Sequence, residues 1–230
     1  TKQINKSHTA GDVAKALALE KIDSYMGLLH VYTDGSKTED GNVAAAFCTP
    51  TLNKTCAMRL TNKVTIYAAE LTAIKLALQW LIETKCEQEV AIFSDSLSSL
   101  QSIHSGKSDS MPNLLIEVMQ LIHNQGTAIT LVWLPGHSGI SHSDEADALA
   151  KAATHHKQID LNIDLELHDS YAAASSHCLA KWQAEWDNNP KGRHLHAIKP
   201  KVKTKVKHEI SARRKEVTLA RLKFGKCRLN

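Results

Sequence analysis

Two short apolar runs in this chain stop in the same way, and that repetition narrows the possible folds more than any bulk property. Leu28-Leu29-His30-Val31-Tyr32-Thr33 stops at Asp34-Gly35-Ser36, and residues 89–94 stop at Asp95-Ser96. Runs of this length, rich in β-branched and aromatic residues and closed by turn-formers, read as strands. An aspartate at the carboxyl end of a strand stands where open α/β sheets place their functional groups. Each aspartate alone could equally be a turn-former or helix cap. Two strands finished alike are more telling, because a sheet can bring their ends together.

The intervening sequence supplies the other layers. Residues 43–49 and 55–60 read as two further strands, joined through Asn53-Lys54 as a meander. Residues 67–84 read as a long helix, since Leu71, Ile74, Leu78, Leu81 and Ile82 recur at three- and four-residue spacing on one stripe. A short helix at 96–104, a loop at 106–112 and a helix around 114–122 follow. Residues 127–133 form the fifth strand, stopped by Pro135-Gly136. The last helix of this region spans 146–153, with Ser143 and Asp144 as candidate caps. Strands come first and then alternate with helices, so the expected architecture is α/β: a five-stranded mixed sheet flanked by helices.

The net charge of +4 conceals a division. Residues 191–230 hold 14 Lys and Arg against only Glu209 and Glu216, whereas residues 1–190 hold 14 against 22 acids. Such asymmetry marks contact with nucleic acid, although a basic helix can also meet a membrane or an acidic protein. The expected organisation is a linker or short helix over 1–26 (helical at 13–22), a catalytic-sized domain over 27–157, and a basic, mostly helical extension over 158–230. Helices are expected there near 169–186 and 211–224. Five scattered cysteines show no Cys-x-x-Cys spacing and read as reduced thiols. No apolar run approaches the roughly 18–20 residues of a membrane span. With neither a starting methionine nor an apolar secretory core, the chain is expected to be a piece of something larger, working inside the cell in nucleus or cytoplasm.

Two more acids occupy suggestive places. Glu70 shares a helix face with Ile74, Ala77 and Leu81, where a surface glutamate would normally sit opposite. Asp147 precedes Ala148-Leu149-Ala150 at the start of the last helix. Either could simply favour a helix N-terminus. His137 lies between Pro135-Gly136 and Ser138-Gly139, ten residues before Asp147, which sets it apart from the other histidines.

Taken in order, Tyr32-Thr33-Asp34-Gly35-Ser36, Ala69-Glu70-Leu71, Ser94-Asp95-Ser96, Trp133-Leu134-Pro135-Gly136-His137-Ser138-Gly139 and Ala146-Asp147-Ala148-Leu149-Ala150 resemble type 1 ribonuclease H over roughly residues 28–155. The phrasing of the fourth motif, and the segment Arg213-Arg214-Lys215-Glu216-Val217-Thr218-Leu219-Ala220-Arg221-Leu222, are similar to the ribonuclease H regions of non-LTR retrotransposon polyproteins. The resemblance implies a ribonuclease H-like fold. It also implies endonucleolytic hydrolysis of the RNA strand of RNA–DNA hybrids, giving 5′-phosphate and 3′-hydroxyl ends. The implied cofactor is two Mg²⁺ ions, with Mn²⁺ as a substitute, and the implied neighbour is an upstream reverse transcriptase.

By the same resemblance Asp34 bridges the metals, Glu70 and Asp95 hold one, Asp147 holds the other, and His137 assists product departure or proton transfer. Physical need agrees: two hard cations about 4 Å apart can activate a water and stabilise a departing oxygen, and Mg²⁺ takes carboxylate ligands. Four crowded carboxylates should repel one another until the metal arrives. Ser36, Thr65 and Ser96 are candidates for contacting the 2′-hydroxyls that distinguish RNA, with turn and cap hydrogen bonding as their alternative role.

The chain departs from the family pattern at His142-Ser143-Asp144 before the fourth acid, at Leu97, and in its short loop over 106–112. That loop is too short for a basic protrusion, so the basic tail is expected to grip the hybrid instead. Two other readings stand beside this one. A non-catalytic nucleic-acid-binding module of the same fold would have no need of clustered carboxylates. A transposase or integrase on a related fold would use three acids and lack the Pro-Gly-His-Ser-Gly loop.

Overall fold

A central strand decides the layout. In the computed structural model, which describes residues 11–136, 139–164, 167–202 and 213–223, β1 (Leu29–Lys37) is paired on both sides. On one side it runs antiparallel to β2 (Val43–Thr49), which in turn runs antiparallel to β3 (Lys54–Leu60). On the other it runs parallel to β4 (Val90–Ser94), which runs parallel to β5 (Ile129–Trp133). The sheet is five-stranded and mixed, as the strand pattern implied, and its order is β3-β2-β1-β4-β5.

The first strand is longer than its apolar run. It does not end before Asp34: pairing with β2 continues through Asp34↔Ala46, Gly35↔Ala45 and Ser36↔Ala44 to Lys37↔Val43. Parallel pairing with β4 stops at Thr33↔Ser94. Hydrophobicity tracks burial, and here the last residues of β1 lose their burial but keep a hydrogen-bonded neighbour.

Strand residues alternate between two apolar layers, as the pleat requires. Val31, Phe47 and Ile92 enter the larger core with α2 (Ile66–Glu83) and α4 (Pro112–Asn124). Tyr32, Cys48, Ala91 and Phe93 enter the smaller one with α1 (Gly11–Asp23) and α5 (Ser141–Ala153). α2 carries more than one stripe. Ala68 through Ala77, except Lys75, are all buried, because the helix packs on β1 and β2 while α4 covers it from behind. Alanines at 68, 69, 73 and 77 let it lie close. Between the two helices, α3 (Leu97–Ser105) ends at Gly106, whose φ of +67° closes the helix in the left-handed conformation.

α5 begins at Ser141, earlier than the expected residue 146. Ile140 is its N-cap without a side-chain cap bond, and Asp144 already sits in the first turn, its N–H donating to the Ile140 carbonyl at 2.9 Å. Ser143 and Asp144 are therefore not caps. The polar residues that looked like a helix entrance face outward from the first turn.

The exposed edge at β3 is partly covered. Leu161 pairs with Leu60, and the Arg59 carbonyl accepts the N–H groups of Asp160 and Leu161 at 2.8 and 3.0 Å. Such cover blunts an edge that could otherwise pair with another chain.

The chain divides into two compact units, Thr1–Asp169 and Ser170–Asn230. In the second, α6 (Leu167–Asn188), whose first residues belong to the first unit, is followed by α7 (Arg193–Ile198) and α8 (Arg213–Lys223). The Arg193 guanidinium donates to the carbonyls of Asp187 and Asn189 at 2.7 and 2.8 Å, filling acceptors that a helix end leaves open. Trp186 Nε1 donates to the Lys199 carbonyl at 2.9 Å. α8 carries Arg213, Arg214, Lys215, Arg221 and Lys223 against Glu216 alone. The short helix α7 had no counterpart in the sequence pattern. Among the described residues, no helix is long and apolar enough to cross a membrane.

Candidate active site

Parallel pairing of β1 with β4 sets the first two acids side by side. Thr33 is level with Ser94, so Asp34 and Asp95 follow at adjacent positions where the pairing ends. Asp34 continues on the side of Tyr32, facing the α1–α5 layer. Glu70 comes from α2 on the opposite face, one turn inside a helix capped by Thr65, whose side chain accepts the Ala68 N–H at 3.2 Å. Its carboxylate must reach the sheet's end past β1.

Gly35 permits that. A Cβ at this position would lie 2.8 Å from the Glu70 backbone nitrogen and 3.0 Å from the Ala69 carbonyl carbon. Any side chain would push α2 off the strand and carry Glu70 with it. Gly136 performs the matching service for Asp95, since a Cβ there would fall 1.9 Å from Asp95 Oδ2. The Trp133 indole adds a third constraint, its Nε1 donating to the Asp95 carbonyl at 3.0 Å.

The outcome is a tight set of carboxylates. One oxygen from each of Asp34, Glu70 and Asp95 lies within 4.8 Å of the others. Glu70 is 7% exposed, and its Oε2 is buried without a hydrogen-bond partner. A buried acceptor left unsatisfied is costly, and a cation is the partner that suits it. Burial pushes Asp34 up to about 8, with the charges of Asp95 and Asp147 adding to the rise and Lys151 opposing it. Glu70 is held well above the usual carboxylate range, chiefly by burial and then by Asp34 and Asp95, while the Gly35 backbone N–H pulls the other way. An all-oxygen, crowded, partly desolvated donor set fits a hard divalent ion.

Asp147 is near but differently held. Its charge reaches both Asp34 and Glu70, yet it lies outside the set of three. It sits on α5 and pairs with Lys151 Nζ at 2.6 Å, one turn further along. This cation was not among the residues singled out from the sequence, although its i,i+4 spacing from Asp147 on the last helix was a signal for it.

The remaining candidates fall as follows. Thr65 and Ser96 cap α2 and α3, and Ser96 Oγ also lies 2.8 Å from Ser99 Oγ. Ser36 is half-buried in the last part of β1. His137 lies outside the described residues. The departure at 142–144 is taken up in packing: the His142 ring lies 5.6 Å from that of Tyr32, and its carbonyl accepts from Cys48 Sγ at 3.4 Å. Leu97 is exposed at the start of α3. The short loop is tied to α2 by Tyr67 Oη, 3.0 Å from Ser108 Oγ.

Gly35, Gly136 and Trp133 shape this site without supplying a ligand. Asp-Gly and Pro-Gly could have been recognised as points of close approach as well as turns; the indole contact had no signal.

A mixed α/β sheet and its main helix here bring three carboxylates together, one of them with a buried oxygen lacking a hydrogen-bond partner, and such a donor set suits cation-dependent hydrolysis. The RNase H family model matches residues 27–155. The chain belongs to that family, which implies ribonuclease activity on the RNA strand of RNA–DNA hybrids.

Proposed function

We propose that this chain hydrolyses the RNA strand of RNA–DNA hybrids endonucleolytically, using two divalent cations held by Asp34, Glu70, Asp95 and Asp147. The observation that carries this reading is that one carboxylate oxygen from each of Asp34, Glu70 and Asp95 lies within 4.8 Å of the others, in a cluster where Glu70 Oε2 is buried with no hydrogen-bond partner. Two such ions, Mg²⁺ by preference and Mn²⁺ as a substitute, would acidify a water and neutralise the departing 3′ oxygen, leaving 5′-phosphate and 3′-hydroxyl ends. In this reading Asp34 would be shared between them, Glu70 and Asp95 would hold one, and Asp147 would hold the other.

Lys151 would give up Asp147 when a cation arrives. His137, next in sequence to Gly136, takes the role of moving a proton or easing product departure. Ser36, Thr65 and Ser96 lie close to the acids in sequence and would offer hydroxyls, which can donate as well as accept, to the 2′-hydroxyls of the RNA strand. The wording of the Trp133-Leu134-Pro135-Gly136-His137 motif supports a source in a non-LTR retrotransposon polyprotein. An upstream reverse transcriptase would then be the natural partner, and nucleus or cytoplasm the setting.

The test is a labelled RNA–DNA hybrid incubated with the protein in Mg²⁺, beside Asp34→Asn and an EDTA control. RNA cleavage that disappears in both controls is the expected outcome. Hybrid binding without cleavage in any metal would replace this reading with a binding module of the same fold. The basic segment 191–230 is proposed to grip the hybrid's backbone. Its removal should weaken binding and flatten the dependence of affinity on salt, because fewer phosphates are neutralised. An unchanged slope would remove the tail from the account.

A further inference from the structure

α1 lies outside the matched family region, yet it is bonded to the strand whose last residue holds the Asp95 carbonyl. Ala18 and Ile22 are buried in the smaller core beside Leu134 and Ile140, so one face of the helix lies on both flanks of the segment 134–140. Lys21 Nζ donates to the Trp133 carbonyl at 3.0 Å, across 112 residues of sequence. Trp133 ends β5, whose one strand neighbour among the described residues is β4; the Leu134 N–H of the same trans peptide points to β4, so the Trp133 carbonyl points away from it. Lys15 reaches the far side of the same segment: a Cβ on Gly139 would lie 3.4 Å from its Nζ.

The contacts run on into the cluster. Trp133 Nε1 donates to the Asp95 carbonyl at 3.0 Å, and the Leu134 N–H to the Ser94 carbonyl at 3.0 Å. Fixing Trp133 therefore fixes the backbone on which Asp95 hangs.

We propose that Lys21 is a positioning residue for the acidic site, holding Trp133 by its carbonyl so that the Trp133 indole can hold Asp95 against Glu70 and Asp34. α1 is thus an added strap on a family domain that begins at residue 27. The inference rests on the metal-binding reading given above. Lys21 touches no ligand directly, so its effect should be smaller than that of Trp133, whose place resembles that of an outer-shell partner. Loss of such partners costs about 10–100-fold in metal affinity.

The test compares the full-length protein with Lys21→Met, Lys21→Arg and Trp133→Phe. Mn²⁺ affinity is read by electron paramagnetic resonance, and exchange of the Trp133 indole N–H by NMR in metal-free buffer. Trp133→Phe should bind Mn²⁺ roughly tenfold more weakly. Lys21→Met should bind it about threefold to tenfold more weakly, and its Trp133 indole N–H should exchange faster than in the wild type. Lys21→Arg should restore both. A folded Lys21→Met protein with wild-type Mn²⁺ affinity overturns the proposal, as does a Lys21→Arg protein no better than Lys21→Met. Should Lys21→Met not fold, Lys21→Arg against Trp133→Phe still decides: equal weakening would show a packing role only. A wild-type protein that fails to bind Mn²⁺ overturns the metal reading itself and this inference with it.

Discussion

Asp34, Glu70 and Asp95 hang from backbone that cannot shift without disturbing the sheet or its main helix, whereas Asp147 hangs from a more open face of α5 and pairs with Lys151 one turn along. The first three are crowded by packing. Gly35 lets α2 approach β1, Gly136 lets the β5–α5 connection approach Asp95, and Trp133 pins the Asp95 carbonyl. The fourth has an exposed lysine ammonium for a partner. One half of the candidate site is thus assembled by folding, at an electrostatic cost; the other half is neutralised locally and can exchange its cation. A site of this kind should tolerate no change in the first half and show only modest folding consequences in the second.

The largest effect that could break this comparison is a split between activity and stability at Asp34. Asp34→Asn should lower hybrid cleavage on the order of 10²–10⁴-fold, as expected where a cation worth several kcal/mol to the transition state is lost. The same variant should melt higher than the wild type in EDTA, because a carboxylate raised to about 8 by burial and its neighbours is replaced by a neutral amide. Thermal melts with and without Mg²⁺ check this. A metal-free melting temperature below that of the wild type would mean the crowding is not repulsive.

The pH dependence follows from the same shift. Folded Asp34 keeps its proton up to about 8, while the unfolded chain releases it near 3.8. The folded state thus binds more protons between those values, and stability falls as pH rises through the window. Glu70, also shifted upward, adds in the same direction. In EDTA, the melting temperature of wild type minus that of Asp34→Asn should fall by several degrees from pH 5 to pH 8. Mg²⁺ binds the carboxylate form, so the stabilisation it gives should grow over the same range. A flat difference would show that Asp34 ionises normally.

A smaller effect separates the two glycines. Gly35→Ala places a methyl against backbone and should cost about 1–3 kcal/mol, as overpacking does, or a few degrees of melting temperature. Gly136→Ala meets the Asp95 side chain, from Oδ2 back to Cβ, and its three nearest atoms include no backbone. It should weaken Mn²⁺ binding roughly tenfold, as loss of ligand positioning does, while changing the melting temperature less than Gly35→Ala. Reversed outcomes would mean that Gly136 serves the fold and Gly35 the site.

Much of this was legible in the sequence because the relevant signals are local. The five strands, the helix carrying Glu70 and the two aspartates that close apolar runs are written in those runs and their punctuation. What escaped depends on partners distant in the chain. Asp34 lies inside β1, because β2 extends that strand after β4 has left it. α5 starts at Ser141, because Ile140 enters a core that its own neighbours do not reveal. The burial of α2 on nearly all sides reflects α4, which arrives some thirty residues later in the chain. The bond from Trp133 to Asp95 joins two strands, and no spacing rule announces a side chain aimed at a neighbour's carbonyl.

The smallest prediction tests the adjustable half. An exposed i,i+4 pair contributes about 0.2–1 kcal/mol, so in EDTA Lys151→Met and Asp147→Asn should each move the melting temperature by no more than a few degrees. Asp147→Asn should nonetheless lose most cleavage, which sets folding and function apart at this residue as Asp34→Asn does in the opposite sense. Lys151→Met has a subtler consequence. Its ammonium opposes the rise at Asp34, so removing it should shift Asp34 ionisation, and with it the pH midpoint of Mn²⁺ binding, upward. The same loss frees Asp147 from competition, so at pH 9, where Asp34 is ionised in both proteins, Lys151→Met should bind Mn²⁺ at least as tightly as the wild type. Weaker binding at pH 9 would mean that Lys151 orients Asp147 for the metal and does not merely stand in its place.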